Sequence, residues 1–156
     1  MEELLTLRKY IEAKNYLKAL ELVGELEEMS QEDKLNKIYS YAVILLVHLI
    51  KQQAERRTTR SWDVSIDNSV REIKRTNKRR NAVLGVSPQS DCDKKRRKSG
   101  GYYASQGELI ETINEAFEAA ILRAALEAFE GKHDRDELQQ MIDVSEIKKA
   151  ALDLIY

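Results

Sequence analysis

The sequence predicts an all-α fold, a compact bundle of five to seven helices. Three observations carry this. Apolar residues recur at spacings of three and four along most of the chain. One proline and six glycines among 156 residues are too few punctuators for a turn-rich all-β fold. No segment alternates apolar and polar residues as a half-buried strand does. The hydrophobic fraction is 42% and the net charge −1, so the chain lacks the combination that leaves a chain disordered. The length fits one domain over residues 1–156.

The elements follow in order. Leu4, Leu7 and Ile11 mark a short helix from Glu2 to Ala13. Asn15 can cap a second helix to about Met29, with Tyr16, Ala19, Leu20, Val23 and Leu26 apolar. Ser30 and Asp33 resemble a capping box opening a third helix to about Gln53 or Arg57. From Tyr41 to Ile50 that helix is apolar on almost every side, which predicts a central buried element. Ser61 can cap a fourth helix from Trp62 to about Arg80, with Trp62, Ile66, Val70 and Ile73 in one narrow stripe. Residues 81–104 hold Gly85, Pro88, Gly100, Gly101 and a cationic run, and are expected to form a long mobile basic loop. Ser105 and Glu108 form a second capping-box pattern. It opens a helix to about Glu130, which Gly131 ends. That helix and the Asp33–Arg57 helix are expected at the centre. Beyond Ala119, Leu122, Leu126 and Phe129 widen its apolar surface and predict burial by more than one neighbour. Asp134 or Asp136 starts a short helix to about Ile142, and Asp143 can cap the last one.

The near-zero net charge conceals a polarised chain. Residues 34–98 carry 17 basic and 6 acidic side chains, a net of +11, while residues 1–33 and 99–156 carry −5 and −7. One cysteine, Cys92, precludes an internal disulfide framework and suits a reducing compartment. The opening Met1-Glu2-Glu3 lacks the basic region of a signal peptide. The Tyr41–Ile50 run is too short to span a bilayer, which needs about 20 residues. A cytoplasmic protein with no membrane partner is expected.

Candidate sites lie mostly in the basic middle. Arg71, Lys74, Arg75, Lys78 and Arg79 fall opposite the Trp62 stripe and would present a cationic face to phosphates. The same cations serve the helix dipole, and Asp67 and Arg71 have the spacing of an i,i+4 pair. Lys94, Lys95, Arg96, Arg97 and Lys98, with Tyr102 and Tyr103 downstream, interleave charge and aromatics as single-strand binders do. Solvation of a loop is the plainer role for such a run. His48 stands in the apolar run with Lys51 three residues on and Arg60 beyond. It is either a core histidine or a general base beside a phosphate cluster. Trp62 is an anchor at a helix start or a stacking surface. Glu130 and His133 have a metal-ligand spacing without the second pair a di-iron bundle needs. Cys92 has no second cysteine for zinc. No metal and no cofactor are expected.

Several words of the sequence occur together: Asp33-Lys34-Leu35-Asn36-Lys37-Ile38, Leu46-Val47-His48-Leu49-Ile50-Lys51, and Arg57-Thr58-Thr59-Arg60-Ser61-Trp62. Ala116-Phe117-Glu118-Ala119-Ala120-Ile121 and Met141-Ile142-Asp143 follow. In these the chain resembles the mainly cyanobacterial helical family catalogued as domain of unknown function twenty-nine, over nearly its whole length. The resemblance implies an all-helical bacterial cytoplasmic protein with no established activity. It also groups His48, Lys51, Arg60 and Trp62 as a shared cluster. The insert around Lys94 departs from the shorter loop the family would have.

The leading functional expectation is a non-catalytic binding or regulatory module. Its basic surface, residues 71–98, would meet nucleic acid or an acidic protein. The acidic ends can meet the basic middle of a second copy in a homodimer. One alternative is a phosphodiester-cleaving or related hydrolase built on His48, Lys51, Arg57, Arg60 and Asp63. Another is a structural subunit of an assembly.

Overall fold

The computed structural model describes residues 1–78 and 102–156. Six α-helices lie among them: α1 (Glu2–Glu12), α2 (Tyr16–Glu55), α3 (Arg60–Asn77), α4 (Gln106–Glu127), α5 (Arg135–Met141) and α6 (Val144–Ile155). A 3-10 turn, Ala128–Gly131, follows α4. The fold is all-α, as expected. The one β pairing among the described residues is an isolated antiparallel bridge between Lys78 and Tyr102. The chain divides into two compact units, Met1–Lys34 and Leu35–Tyr156, and each is described by itself.

The first unit joins α1 to the start of α2 through Ala13–Asn15. Lys14 takes the left-handed conformation at φ 57°, which reverses the chain. The Asn15 amide donates to the Tyr10 carbonyl at 2.8 Å. The Asn15 side chain accepts from the Lys18 amide at 3.4 Å, in the capping role its residue type favours. Lys18 Nζ sits 5.9 Å from the centre of the Tyr10 ring. Ala19 is the buried residue of this hairpin, and α1 buries none. Gly24 lies mid-helix, and a Cβ there would meet nothing within 4 Å. Such a glycine weakens a helix by about 1 kcal/mol relative to alanine.

The expected break at Ser30 is absent, because α2 runs unbroken from Tyr16 to Glu55. Ser30 and Asp33 are exposed. No proline or glycine interrupts residues 25–55, so backbone continuity wins over the cap-like pattern.

The second unit is built around two apolar helices. Ile38, Ala42, Leu45, Leu46, Val47 and Ile50 of α2 are buried together with Ile113, Ala116, Phe117, Ala120, Ile121 and Ala124 of α4. These are the two helices expected at the centre. Ile66 and Ile73 of α3, Leu138 of α5, and Ile147, Ala151 and Ile155 of α6 close the core. Alanines on α4 matter here, since a small side chain lets a neighbouring helix approach closely.

Caps set most boundaries. Thr59, not Ser61, caps α3, its hydroxyl accepting from the Trp62 amide at 3.2 Å. The helix ends at Asn77, so Lys78 has extended backbone (φ −74°, ψ 115°) instead of extending a helical face. Ser105 and Glu108 form the expected capping box. Asp134 and Asp143 cap α5 and α6. α4 stops at Glu127, and Phe129, Glu130 and Gly131 then take left-handed conformations in succession. The second half of α4 and the turn after it are buried unevenly: Phe129 packs partly against the core, whereas two leucines face outward. Leu122 is 52% and Leu126 78% exposed, because the core contacts of that half run along Ile121, Ala124, Ala125 and Ala128 instead.

The long loop expected over 81–104 is corrected at its end. Tyr102 pairs with Lys78, and the Tyr103 amide donates to the Asn77 carbonyl at 2.8 Å. The Ala104 amide donates to Asn77 Oδ1 at 2.7 Å, and Ala104 is buried. Asn77 thus receives the returning chain twice. Residues 79–101, including Arg79, Cys92 and the Lys94–Lys98 run, lie outside the described residues.

Replacing Asn77 by alanine removes the acceptor of a buried amide, whose desolvation is worth about 1–3 kcal/mol. Asn77→Ala should lower Tm by roughly 2–4 °C per kcal/mol lost, measured by thermal melting. Asn77→Asp keeps the acceptor oxygen and should lose less.

Candidate functional site

Two groups of polar side chains stand out in the second unit. The first surrounds Lys51, on the last two turns of α2. Lys51 is 8% exposed, so the ammonium requires a partner. Glu127, at the end of α4, supplies it at 3.2 Å through Oε2. The other Glu127 oxygen, Oε1, accepts from Arg123 Nε at 3.1 Å. Lys51 Nζ also lies 4.6 Å from the centre of the Trp62 ring, and Arg57 Cζ lies 5.2 Å from it. Both contacts have cation–π geometry. Arg57 is held in turn by Glu55 at 3.1 Å. One turn before Lys51, His48 has Nδ1 buried without a hydrogen-bond partner among the described residues.

The electrostatics follow from this geometry. Burial would raise the Glu127 carboxyl, but hydrogen bonds and charge from Arg123 and Lys51 hold it below its ordinary value. His48 is lowered below its ordinary value, first by burial and next by the Lys51 charge, with Arg123 acting alike and Glu127 opposing. His48 is therefore a weaker base than an ordinary histidine.

The expected cluster is assembled only in part. Trp62 and Lys51 meet. Arg60 is exposed and has no hydrogen-bond or ion-pair partner among the described residues. Asp63 serves the turn between α2 and α3: its Oδ1 accepts from Thr58 Oγ1 at 2.6 Å and Gln52 Nε2 at 3.0 Å. The Trp62 ring, read as an anchor at a helix start or a stacking surface, carries two of the protein's own cations. Glu127 and Arg123 were not singled out from the sequence. They are far from Lys51 along the chain, and no local spacing connects them to it. Of the Glu130 and His133 pair, His133 Nδ1 meets Glu137 at 2.9 Å and its ring meets Phe129 edge-on at 5.0 Å.

The second group lines a cleft of about 900 Å³ where the end of α3, residues Tyr102–Leu109 and the end of α6 come together. Lys74 and Lys78 supply charge, and Tyr102, Tyr103 and Tyr156 supply rings. Tyr156 donates its hydroxyl to the Gln106 carbonyl at 3.1 Å, and burial raises its phenol above the ordinary value despite that bond. Glu108 also borders the cleft, but its carboxylate accepts from the Ser105 amide at 2.7 Å, and that bond lowers it below the usual range. Of the five cations expected on this helical face, Arg79 lies outside the described residues. Arg71, Lys74 and Arg75 are exposed on α3, with Arg75 3.6 Å from Glu72. Lys78 follows at the C-cap, and Asp67 and Arg71 form no ion pair among the described residues.

A family model described as Domain of unknown function DUF29 matches residues 6–94, more than half of the chain. The chain belongs to the DUF29 family. No curated protein and no solved structure matches it. The DUF29 match holds His48, Lys51, Arg57, Arg60 and Trp62. It stops short of Glu127, Arg123 and the Tyr102–Tyr156 wall of the cleft. The words read as family-like in Ala116–Ile121 and Met141–Asp143 lie beyond it. No helix among the described residues is long and apolar enough to cross a membrane.

The lysine box makes two predictions. Glu127→Ala strips the carboxylate from a buried ammonium and should destabilise by about 1–3 kcal/mol, read from denaturant midpoints. Lys51→Met combined with Glu127→Ala should recover part of the loss, since an apolar replacement removes the orphaned charge. His48 binds its proton less tightly folded than unfolded, so its stabilisation is complete above the ordinary value of 6.5. It is lost as pH falls below that toward the lower folded value. His48→Leu should flatten Tm against pH in that window and leave Tm at neutral pH unchanged or higher.

Proposed function

We propose that the chain is a helical, non-catalytic module that binds single-stranded nucleic acid in the Lys74–Lys78–Tyr102 cleft. One observation carries this: two lysines unpaired among the described residues and an exposed tyrosine ring share one concave site. Cations placed beside rings suit a strand, because phosphates take the ammonium groups while bases stack on the aromatic faces. The cleft volume falls in the range of about 300–1,000 Å³ typical of ligand sites. Arg71 and Arg75 lie on the same helix and extend the positive potential along α3. The Lys51 group takes no part, because its ammonium is paired with Glu127 and seated on Trp62.

The test is fluorescence anisotropy with a labelled poly-thymidine oligonucleotide across a salt series. Affinity should fall with salt at a log–log slope near −0.7 per phosphate neutralised on a single strand. Replacing Lys74 and Lys78 by alanine should reduce the magnitude of that slope by about 1.4. Tyr102→Ala should weaken binding by about 1–3 kcal/mol with the slope unchanged. Absence of binding at ~50 mM salt would overturn the proposal. Capture of an acidic protein by the same lysines, with no oligonucleotide bound, would assign the surface to the other class of partner.

A further inference from the structure

The first unit poses a separate problem. Met1–Lys34 is a two-helix hairpin whose buried residue is a single alanine, Ala19. Chains below about 40 residues usually need a staple or an oligomeric partner to hold their structure. Much of the apolar content of this hairpin faces outward instead. Leu17 is 78% and Leu20 68% exposed, and Tyr16, Leu4 and Ile11 are more than half exposed. Leu17, Leu20 and Gly24 follow the i, i+3, i+7 spacing that aligns residues on one helix face. Gly24 opens that face, since nothing lies within 4 Å of the point its Cβ would occupy. A helix-weakening glycine on an exposed apolar stripe is accounted for when a second backbone approaches it closely.

The charges say which chain approaches. Around the turn, from Arg8 to Lys18, stand four cations, Arg8, Lys9, Lys14 and Lys18, against Glu12 alone. The opposite end is acidic: Glu2 and Glu3 open α1, and Glu25, Glu27, Glu28, Glu32 and Asp33 lie along α2. The hairpin is therefore positive at its turn and negative at its open end. Two copies laid side by side in parallel would superpose like charges. Two copies related by a two-fold axis and running antiparallel place each cationic turn against the other's acidic end. A two-fold interface uses the same patch on both partners, and here one patch carries both halves of the complementary pattern.

We infer that the Met1–Lys34 hairpin is a self-association surface. It pairs antiparallel with the hairpin of a second copy across the Leu17–Leu20–Gly24 face. Two hairpins then make a four-helix arrangement in which Leu17 and Leu20 are shielded from water and the glycine sits at the helix crossing. This is independent of the nucleic-acid cleft.

Sedimentation equilibrium of the full chain tests it. At ~100 µM the wild type should show about twice the 18.0 kDa chain mass. Leu20→Asp should weaken association at least tenfold by placing a charge in the apolar contact. Gly24→Leu should do the same by blocking the crossing. It adds a side chain into open space and removes a helix-weakening glycine, so the monomer should keep its helical circular dichroism and melt at the same temperature or higher. A charge exchange gives the orientation. Lys14→Glu with Lys18→Glu, and Glu27→Lys with Glu28→Lys, should each weaken self-association, and an equimolar mixture of the two double variants should restore it. A wild type that stays monomeric would overturn the inference, as would a dimer indifferent to Leu20→Asp and Gly24→Leu. A mixture that associates no better than its components would overturn the antiparallel pairing.

Discussion

An ammonium group that leaves water must find its charge elsewhere, and the second unit is organised around one that does. Lys51 stands at the end of the most apolar stretch of the chain, where α2 has buried Leu45, Leu46, Val47 and Ile50. Its methylenes continue that apolar stripe while its head meets Glu127 and the Trp62 face. Three helices are thereby referenced to one atom. α4 supplies the carboxylate, α3 supplies the ring through the turn that Thr59 caps, and α2 supplies the charge. Arg123 and Arg57 complete the shell by holding Glu127 and covering Trp62. The buried, unpartnered nitrogen of His48 one turn away fits the same picture. A cation beside it and poor solvation both favour the neutral ring, so the histidine packs without competing for the carboxylate.

That arrangement leaves the opposite end of α3 free to present charge. The helix buries Ile66 and Ile73 toward the core and stops at Asn77, whose backbone carbonyl and side-chain oxygen both receive the chain returning at Tyr103 and Ala104. The double contact anchors Tyr102 and Ser105 beside Lys78. The capping box at Ser105 then starts α4 from a fixed point. The cleft is therefore a product of packing at both of its walls, and its lysines owe their position to the residues that tie α3 to α4.

Much of this was legible in the sequence, and the reasons for the rest are specific. The apolar content of Tyr41–Ile50 is so dense that only a buried helix could use it, and the Ser105–Glu108, Asp134 and Asp143 caps are local hydrogen bonds that the residue types themselves specify. The break expected at Ser30 was a local signal without enforcement: serine and aspartate tolerate a helix interior, and nothing there forbids continuation. The family resemblance groups His48, Lys51, Trp62 and Arg60, of which Arg60 is exposed and apart. The meaning of the other three depended on Glu127, 76 residues from Lys51 along the chain, and a single sequence carries no information on such a pairing. The same holds for Asn77, whose role rests on a contact with a segment 27 residues later. Composition placed Tyr102 and Tyr103 in a loop, whereas backbone hydrogen bonds hold them against α3. The exposure of Leu122 and Leu126 follows from which face of α4 its neighbours occupy, which periodicity alone left undecided.

Chemical-shift mapping distinguishes the lysine box from the proposed binding cleft most directly. A nitrogen-15-labelled chain titrated with a short poly-thymidine oligonucleotide should shift the amides of Lys74, Lys78, Tyr102 and Ala104. The Trp62 indole and the His48 ring should stay in place. Shifts centred on Trp62 and His48, with the α3 C-terminus silent, would contradict the cleft as the binding site.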